Sequence, residues 1–434
     1  MTRIFEGRVF PTRAIPQGLG GWLRWGPLSG EALLEVADHT GVQPAAVART
    51  DCGVDGPVRG LRRTVLLVAC VVLPACAQPA PTPTTQAVPS PAPGGTAGAP
   101  ARPPSLALRA DLANLLWKAY VPNSLSDTVT VVDVRSRRVL TTFRVGHAPQ
   151  HVVPSYDLQT LWVNNNGGNS LTPIDPHTGR PGKAVPVDDP YNLYFTPDGR
   201  LAVVVAERLR RLDFRDPHTF RKVHSLSLPC VGPNHLDFSE DGSFFLVSCE
   251  FDGRLVKVDT ASRRVVGVLQ LGDMPQDVRL APDRRRFLVA DMMRDGLHVV
   301  DGQALRRVAF VSTGVGAHGV YPSRDGSRVY VTNRGWHTVT GGRRGPGSVA
   351  VLDGRTLRVV LRWSVPGGGS PDMGNFTPDG RELWLAGRYD DEVYAFDTTT
   401  GTVVARIPVG RGPHGLTVWP QPGRYSLGHT GNMR

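Results

Sequence analysis

No pair of cysteines in this 434-residue chain has Cys-x-x-Cys spacing, so neither a zinc knuckle nor a c-type haem attachment site is written in it. There is no Gly-x-Ser-x-Gly elbow and no phosphate-cradling Gly-x-x-x-x-Gly-Lys-Ser/Thr loop, which removes the commonest signatures of serine hydrolases and P-loop enzymes. The apolar run from Val65 to Leu73, broken by Pro74, is too short to span a bilayer. A basic helix with interleaved aromatic side chains is missing as well. The net charge is +11, of which +9 lies beyond Ala75, but its arginines are scattered over short turns such as Arg135/Arg137/Arg138, Arg263/Arg264, Arg284 to Arg286 and Arg306/Arg307. Such a pattern reads as a solvated basic face, with no nucleic acid as partner.

What is present begins with an address. Arg59, Arg62 and Arg63 precede the Val65–Leu73 run, which suits the h-region of a signal peptide over residues 58–75. Leu73-Pro74-Ala75-Cys76 follows and resembles the bacterial lipobox, in which the cysteine is lipidated and becomes the mature N-terminus; Pro74 departs from that motif. Residues 1–57 show no periodicity that implies a fold, and an over-extended start is expected there. Residues 76–105 turn to Pro, Ala, Thr, Gly and Ser, the composition of an extended tether. Export is the expectation, to the outer face of the cytoplasmic membrane or the periplasm, with a lipid anchor at Cys76; cleavage by an ordinary signal peptidase would instead release the protein.

A repeat then fills residues 106–420. Its openings are Pro149-Gln150-His151, Pro190-Tyr191-Asn192, Pro233-Asn234-His235, Pro275-Gln276-Asp277, Ala317-His318-Gly319, Pro371-Asp372-Met373 and Pro413-His414-Gly415, spaced by 41, 43, 42, 42, 54 and 42 residues. A period near 42 with four short strands per unit is a propeller signature, because each sheet hides its apolar faces only against neighbouring sheets around an axis. Asp-Gly turns at Pro197-Asp198-Gly199, Glu240-Asp241-Gly242, Arg324-Asp325-Gly326 and Pro378-Asp379-Gly380 supply the hairpins. Six complete units follow Pro149, and the missing strands stand ahead of it: Trp117 to Asn123, Thr128 to Val134 and Val139 to Val145. An all-β, seven-bladed propeller of four-stranded antiparallel blades is therefore expected. It would close through a shared blade whose inner strand runs from His414 to Val418, which leaves no free edge. The tail, 421–434, is left unassigned.

Second strands end as Tyr120-Val121-Pro122-Asn123, Trp162-Val163-Asn164-Asn165 and Tyr330-Val331-Thr332-Asn333. The last of these is the tetrapeptide of the YVTN-repeat, YncE-like β-propeller family, which the chain resembles from Leu116 to Trp419. The resemblance implies the fold but not one function, since the family and its relatives include binding scaffolds, lactonase-like enzymes and d1-haem domains.

In an up-and-down blade, the loop entering a first strand and the loop leaving a second strand share one end. Two polar series therefore converge on the channel mouth. One comprises His151, Asn192, His235, Asp277, His318, Asp372 and His414; the other includes Asn165, Glu207, Glu250, Asp291, Asn333, Arg334 and Arg388. Imidazoles and carboxylates facing one axis suit a divalent metal, with His235, His318 and Glu250 as candidate ligands, or a polar ligand; the same groups can also simply bind channel water. The excess length of the fifth unit falls between Arg334 and Gly347 on that face, and its Trp336, His337, Arg343 and Arg344 suit an anionic or sugar-like ligand. Antiparallel pairing brings Cys230 near Cys249, where a disulfide, two free thiols or thiolate ligands beside His235 and Glu250 are the alternatives.

The reading favoured on these grounds is a monomeric binding or scaffolding propeller at the cell envelope. Its partner would be an envelope protein, a polymer or a small polar ligand, and no catalytic residue is assigned. A metal-dependent, lactonase-like hydrolase using Glu207, Glu250, Asp277, His235 and His318 is the alternative. A d1-haem redox propeller is less favoured, because those relatives use eight blades.

Overall fold

The computed structural model describes Leu112, residues 114–429 and residues 432–433. The expected start region, signal peptide, lipidated Cys76 and tether lie outside these described residues.

Seven antiparallel sheets make up the described chain. Six begin with the inner strands Pro149–Pro154, Pro190–Phe195, Pro233–Phe238, Pro275–Leu280, Ala317–Pro322 and Pro371–Phe376, each followed outward by the next strands in sequence. The seventh pairs Thr417–Trp419 with Lys118–Asn123, in the register Lys118↔Trp419 and Tyr120↔Thr417, and continues through Thr128–Asp133 to Arg138–Arg144. Both ends of the chain thus share one blade, and the ring closes without a free inner edge.

Burial follows strand position. Inner strands such as Pro190–Phe195 are buried at every residue, because one face meets the neighbouring blade on each side. The outermost Arg138–Arg144 is exposed at all but one position, which is where the scattered arginines go. The hairpins between first and second strands repeat one device. Thr196, Ser239, Ser323 and Thr377 donate their hydroxyls to Asp198, Asp241, Asp325 and Asp379 at 2.6–2.7 Å. The following glycine supplies the left-handed backbone, with φ of +69° at Gly199 and +72° at Gly380.

Two details depart from the sequence expectation. The closing inner strand is Thr417–Trp419 rather than His414 to Val418. Pro413 bridges Asn123 and His414 N donates to Pro122 O at 3.1 Å, but Gly415 gives its N–H to Gln150 O and its carbonyl to Val152 N, both at 2.9 Å, so the segment is diverted to the next blade before its ladder resumes at Thr417. In the first unit, which opens at Pro149, the fourth strand is split into Arg180–Pro181 and Val185–Pro186, both on Ser170–Asp175, because prolines cannot donate to a ladder.

The core lies between blades. At the closure, Trp117, Ala119, Val121, Val132 and Val418 pack against Trp384, Ala386, Val393 and Ala395 of the sixth unit. Cys230 and Cys249 form a disulfide that ties the loop before one inner strand to the end of its hairpin partner, with Cα atoms 6.0 Å apart.

The unassigned tail turns inward. Leu427 O accepts from Phe195 N at 3.0 Å and His429 N donates to Leu193 O at 2.9 Å, so the tail runs antiparallel to Pro190–Phe195 on its axial side. Asn432 returns alongside, its carbonyl accepting from Leu427 N at 2.8 Å and its amide donating to Asp237 Oδ1 at 2.7 Å. A cis Trp419-Pro420 bond precedes this tail.

Candidate functional site

The axis is built by a local irregularity in the inner strands. Register shifts follow Pro149, Pro233, Pro275, Ala317 and Pro371, each setting extra residues of the inner strand against its partner. Such a bulge re-aims side chains, so that two successive residues after the opening can reach the axis in place of one. His318, Asp372 and His414 use the first of these positions; His151, Asn192, His235 and Asp277 use the second. All seven are buried.

One group is centred on Asp372. Its carboxylate takes Arg334 Nε at 2.6 Å, His414 Nδ1 at 2.6 Å and His318 Nδ1 at 3.0 Å. Burial alone would push this carboxyl up; the Arg334 guanidinium and the two imidazoles outweigh it and hold the group well below the usual carboxylate range. Arg334 is correspondingly kept charged, its desolvation overcome by Asp372. His414 is pushed down to about 3, chiefly by burial, and His318 also falls, by burial and then by the charge of Arg334.

Beside it stands a second group of imidazoles. The rings of His151 and His235 lie 5.5 Å apart between centroids, and His429 from the tail packs 5.2 Å from the first and 4.7 Å from the second. His151 also meets His414 at 4.7 Å. Burial drives His151, His235 and His429 well below the ordinary histidine pKa, so all three are neutral at physiological pH. None of the four ring nitrogens of His151 and His235 has a hydrogen-bond partner. His429 Nε2 lies 3.3 Å from Asp277 Oδ1, and its Nδ1 lies 3.1 Å from Asn192 Nδ2. Asp277 is itself held by Arg279 Nε at 3.3 Å and Val320 N at 2.9 Å.

Above these groups, the residues just past the second strands frame the mouth. Glu250 is buried and accepts from Asn234 Nδ2 at 2.7 Å. Burial raises its carboxyl; Glu207, half-buried, is raised well above the carboxylate range by burial and by the charge of Glu250. Arg388, half-buried across the mouth, donates to Ser124 Oγ at 3.2 Å.

The inserted segment of the fifth unit is folded down. Trp336 stacks on Tyr389 of the next unit, with ring centroids 4.3 Å apart, and the Arg343 guanidinium lies over the Trp336 ring, 5.5 Å from its centroid. Tyr389 donates to Val339 O at 2.9 Å, and His337 Nε2 reaches Asp295 at 2.9 Å. Trp336 and His337 are thus occupied by the protein itself, whereas Arg343 and Arg344 remain exposed.

Two sequence expectations need correction. Asp291 is not an axial residue: it caps its own blade, accepting from Met274 N at 3.1 Å, Arg294 N at 3.0 Å and His298 Nε2 at 3.0 Å. Asn165 and Asn333 turn in the same way, toward Thr172 and Ser348, because neighbouring strand residues face opposite sides and the axial series sits one residue later, at Asn166, Met292 and Arg334. The proposed ligand trio of His235, His318 and Glu250 is not assembled either. Among the described residues, the three-ligand group is His151, His235 and His429, with one ligand atom from each within 4.8 Å of the others. His318 is turned to Asp372 instead, and Glu250 to Asn234. Sequence reasoning missed His429, whose tail has no place in the repeat. It also missed Tyr194, Asp237 and Arg279, although each stands two residues beyond an assigned axial position and so shares its face.

The model of the YNCE-like beta-propeller family matches residues 92–422. Among solved structures, hydrazine synthase of Kuenenia stuttgartiensis is 21% identical with a TM-score of 0.52, over 61% of this chain and 87% of that one. A functionally unknown protein from Desulfotomaculum acetoxidans is 15% identical with a TM-score of 0.57, over 68% and 98%. The dihydro-heme d1 dehydrogenase NirN, in complex with DHE, is 18% identical with a TM-score of 0.53, over 73% and 77%. No curated protein sequence matches the chain. At these identities the structural likeness shows the fold alone.

Proposed function

Since the chain belongs to the YNCE-like β-propeller family, whose fold serves many unrelated functions, we propose that it is an exported, lipid-anchored binding protein of the cell envelope that takes a small polar ligand at the channel mouth. The observation that carries this reading is the mouth itself. Half-buried Glu207 and buried Glu250 stand on one side and Arg388 on the other, with the pinned Trp336–Tyr389 pair alongside. Concave sites that place a few polar groups of both signs over a rigid scaffold are built to orient a ligand rather than to fill a core. Export is supported by the h-region and lipobox-like Cys76, and by the Cys230–Cys249 disulfide, which belongs to an oxidising compartment.

A hydrolytic reading has one observation in its favour. Burial raises both Glu207 and Glu250 above the ordinary carboxylate range, and the charge of Glu250 raises Glu207 further, so lactone and ester turnover belongs in the first assays. The axial layer itself is filled by imidazoles whose centroids are 4.7–6.1 Å apart, which leaves no room there for a tetrapyrrole.

The test is the intact mass of the protein isolated from its native membrane under non-denaturing conditions. The expected species is a chain beginning at Cys76, carrying diacylglyceryl mass and a small-molecule adduct that disappears in the Glu207→Gln/Arg388→Gln double variant. A chain starting elsewhere and free of any adduct contradicts the proposal.

A further inference from the structure

We propose that His151, His235 and His429 form a metal site on the propeller axis, closed by the C-terminal tail, for a first-row transition cation that prefers imidazole, zinc(II) or copper. It stands on residues distinct from the mouth and does not depend on the ligand-binding reading.

Geometry comes first. Two completely buried imidazoles with four unpartnered nitrogens are an expensive arrangement, since a polar atom taken out of water without a partner loses its hydration and regains nothing. The third ring completes a triangle whose ligand atoms already lie within 4.8 Å of one another. A cation bound at about 2.0–2.1 Å would bring three nitrogens to roughly 3.5 Å separations, a contraction within reach of small ring rotations.

The chemistry of the donors agrees. Imidazole is a donor such cations prefer, and three lone pairs meeting at one point suit a cation better than a water, which has two protons to give. Asp277 Oδ1 stands 3.3 Å from His429 Nε2, where closing the contact gives the carboxylate–histidine arrangement that fixes the tautomer of a metal ligand, and Arg279 and Val320 N hold that carboxylate in place. Nδ1 of His429 is then the lone-pair nitrogen. Asn192 Nδ2, which now donates to it, has an alternative acceptor in the Tyr194 hydroxyl at 3.2 Å and can release it to a cation. Around the axis the carboxylates of Asp237, Asp277 and Asp372 face the guanidiniums of Arg279 and Arg334, a balance that a cation improves.

Because the third ligand comes from the tail, metal and tail bind together. Neither inner-strand histidine alone makes a site, and the same tail is anchored by buried Leu427, by Tyr425 stacked on Tyr156 and by hydrogen bonds to Pro190–Phe195 and Asp237, which hold His429 in place.

The test is titration of the purified chain with cobalt(II) as a visible probe, followed by displacement with zinc(II) and, separately, with copper. One equivalent should give the d–d absorption of a nitrogen-rich, four-coordinate site, and the displacing ion that competes at lower concentration identifies the class. His151→Ala, His235→Ala and His429→Ala should each abolish the band; Asp277→Asn should weaken binding by about 10–100-fold. The exposed His218→Ala and the mouth double variant Glu207→Gln/Arg388→Gln should bind as the wild type does. His429 lies in none of the seven sheets, and an unchanged far-ultraviolet circular dichroism spectrum of His429→Ala separates loss of the band from a folding failure. Absence of any stoichiometric band, or a band that survives His429→Ala, overturns the proposal.

Discussion

Acidification of the metal-free protein is expected to unfold it well before its surface carboxylates titrate. Stability should be level from pH 8 to about 7 and fall steeply below pH 6.5. The sign follows from linkage. The folded pKa of His414 is lowered from 6.5 to about 3, so below pH 6.5 the unfolded chain takes up a proton that the folded chain refuses. Stability due to this group is complete above the unfolded value and is lost progressively as the pH falls toward the folded one. At pH 5 the loss amounts to about 2 kcal/mol for His414 alone. His151, His235, His318 and His429 are displaced in the same direction, each first by burial, and add to it. The charged groups facing them are Asp372 and Asp277, which favour protonation, and Arg334, Arg388 and Arg279, which oppose it. Against a net stability of about 5–15 kcal/mol for a typical domain, the sum is large. Urea midpoints measured in chelator across pH 8 to 4.5 check this. A midpoint unchanged down to pH 5 would mean that the axial imidazoles are not shielded from protons.

Arg334→Met should be the most damaging single change at the axis. The side chain is buried, and its Nε lies 2.6 Å from Asp372, itself fully buried. Removing one partner of such a pair strands the other charge, at a cost of about 3–5 kcal/mol at neutral pH. The loss should shrink in acid. Arg334 is one of the charges that depress His318 and His414, so without it these imidazoles accept a proton more readily and neutralise Asp372. Wild type and variant should therefore converge as the pH falls from 7 to 5 in denaturant melts. A constant gap would show that Asp372 is not the group left uncompensated.

The architecture was readable because a propeller repeats its local chemistry. The Asp-Gly turns, the opening prolines and the Tyr330-Val331-Thr332-Asn333 strand recur at a near-constant spacing, and only the closing blade needed residues from both ends. The site was less readable, for three physical reasons. Strand alternation makes an error of one residue an error of face, which is why the repeat points Asp291 to the mouth although it caps its own turn. The bulges at the inner-strand openings bring two successive positions to the axis, and the sequence pattern does not reveal which of them will. His429 lies in a tail without repeats, and its place beside His151 and His235 depends on backbone pairing with Leu193 that no local signal announces.

Elemental analysis of the protein after export in a native-like host, wild type beside His235→Ala, reads the axial cluster most directly. One equivalent of a transition metal per wild-type chain, absent from the variant, is the expected result. Wild-type protein free of metal, or metal retained equally by His235→Ala, would contradict it.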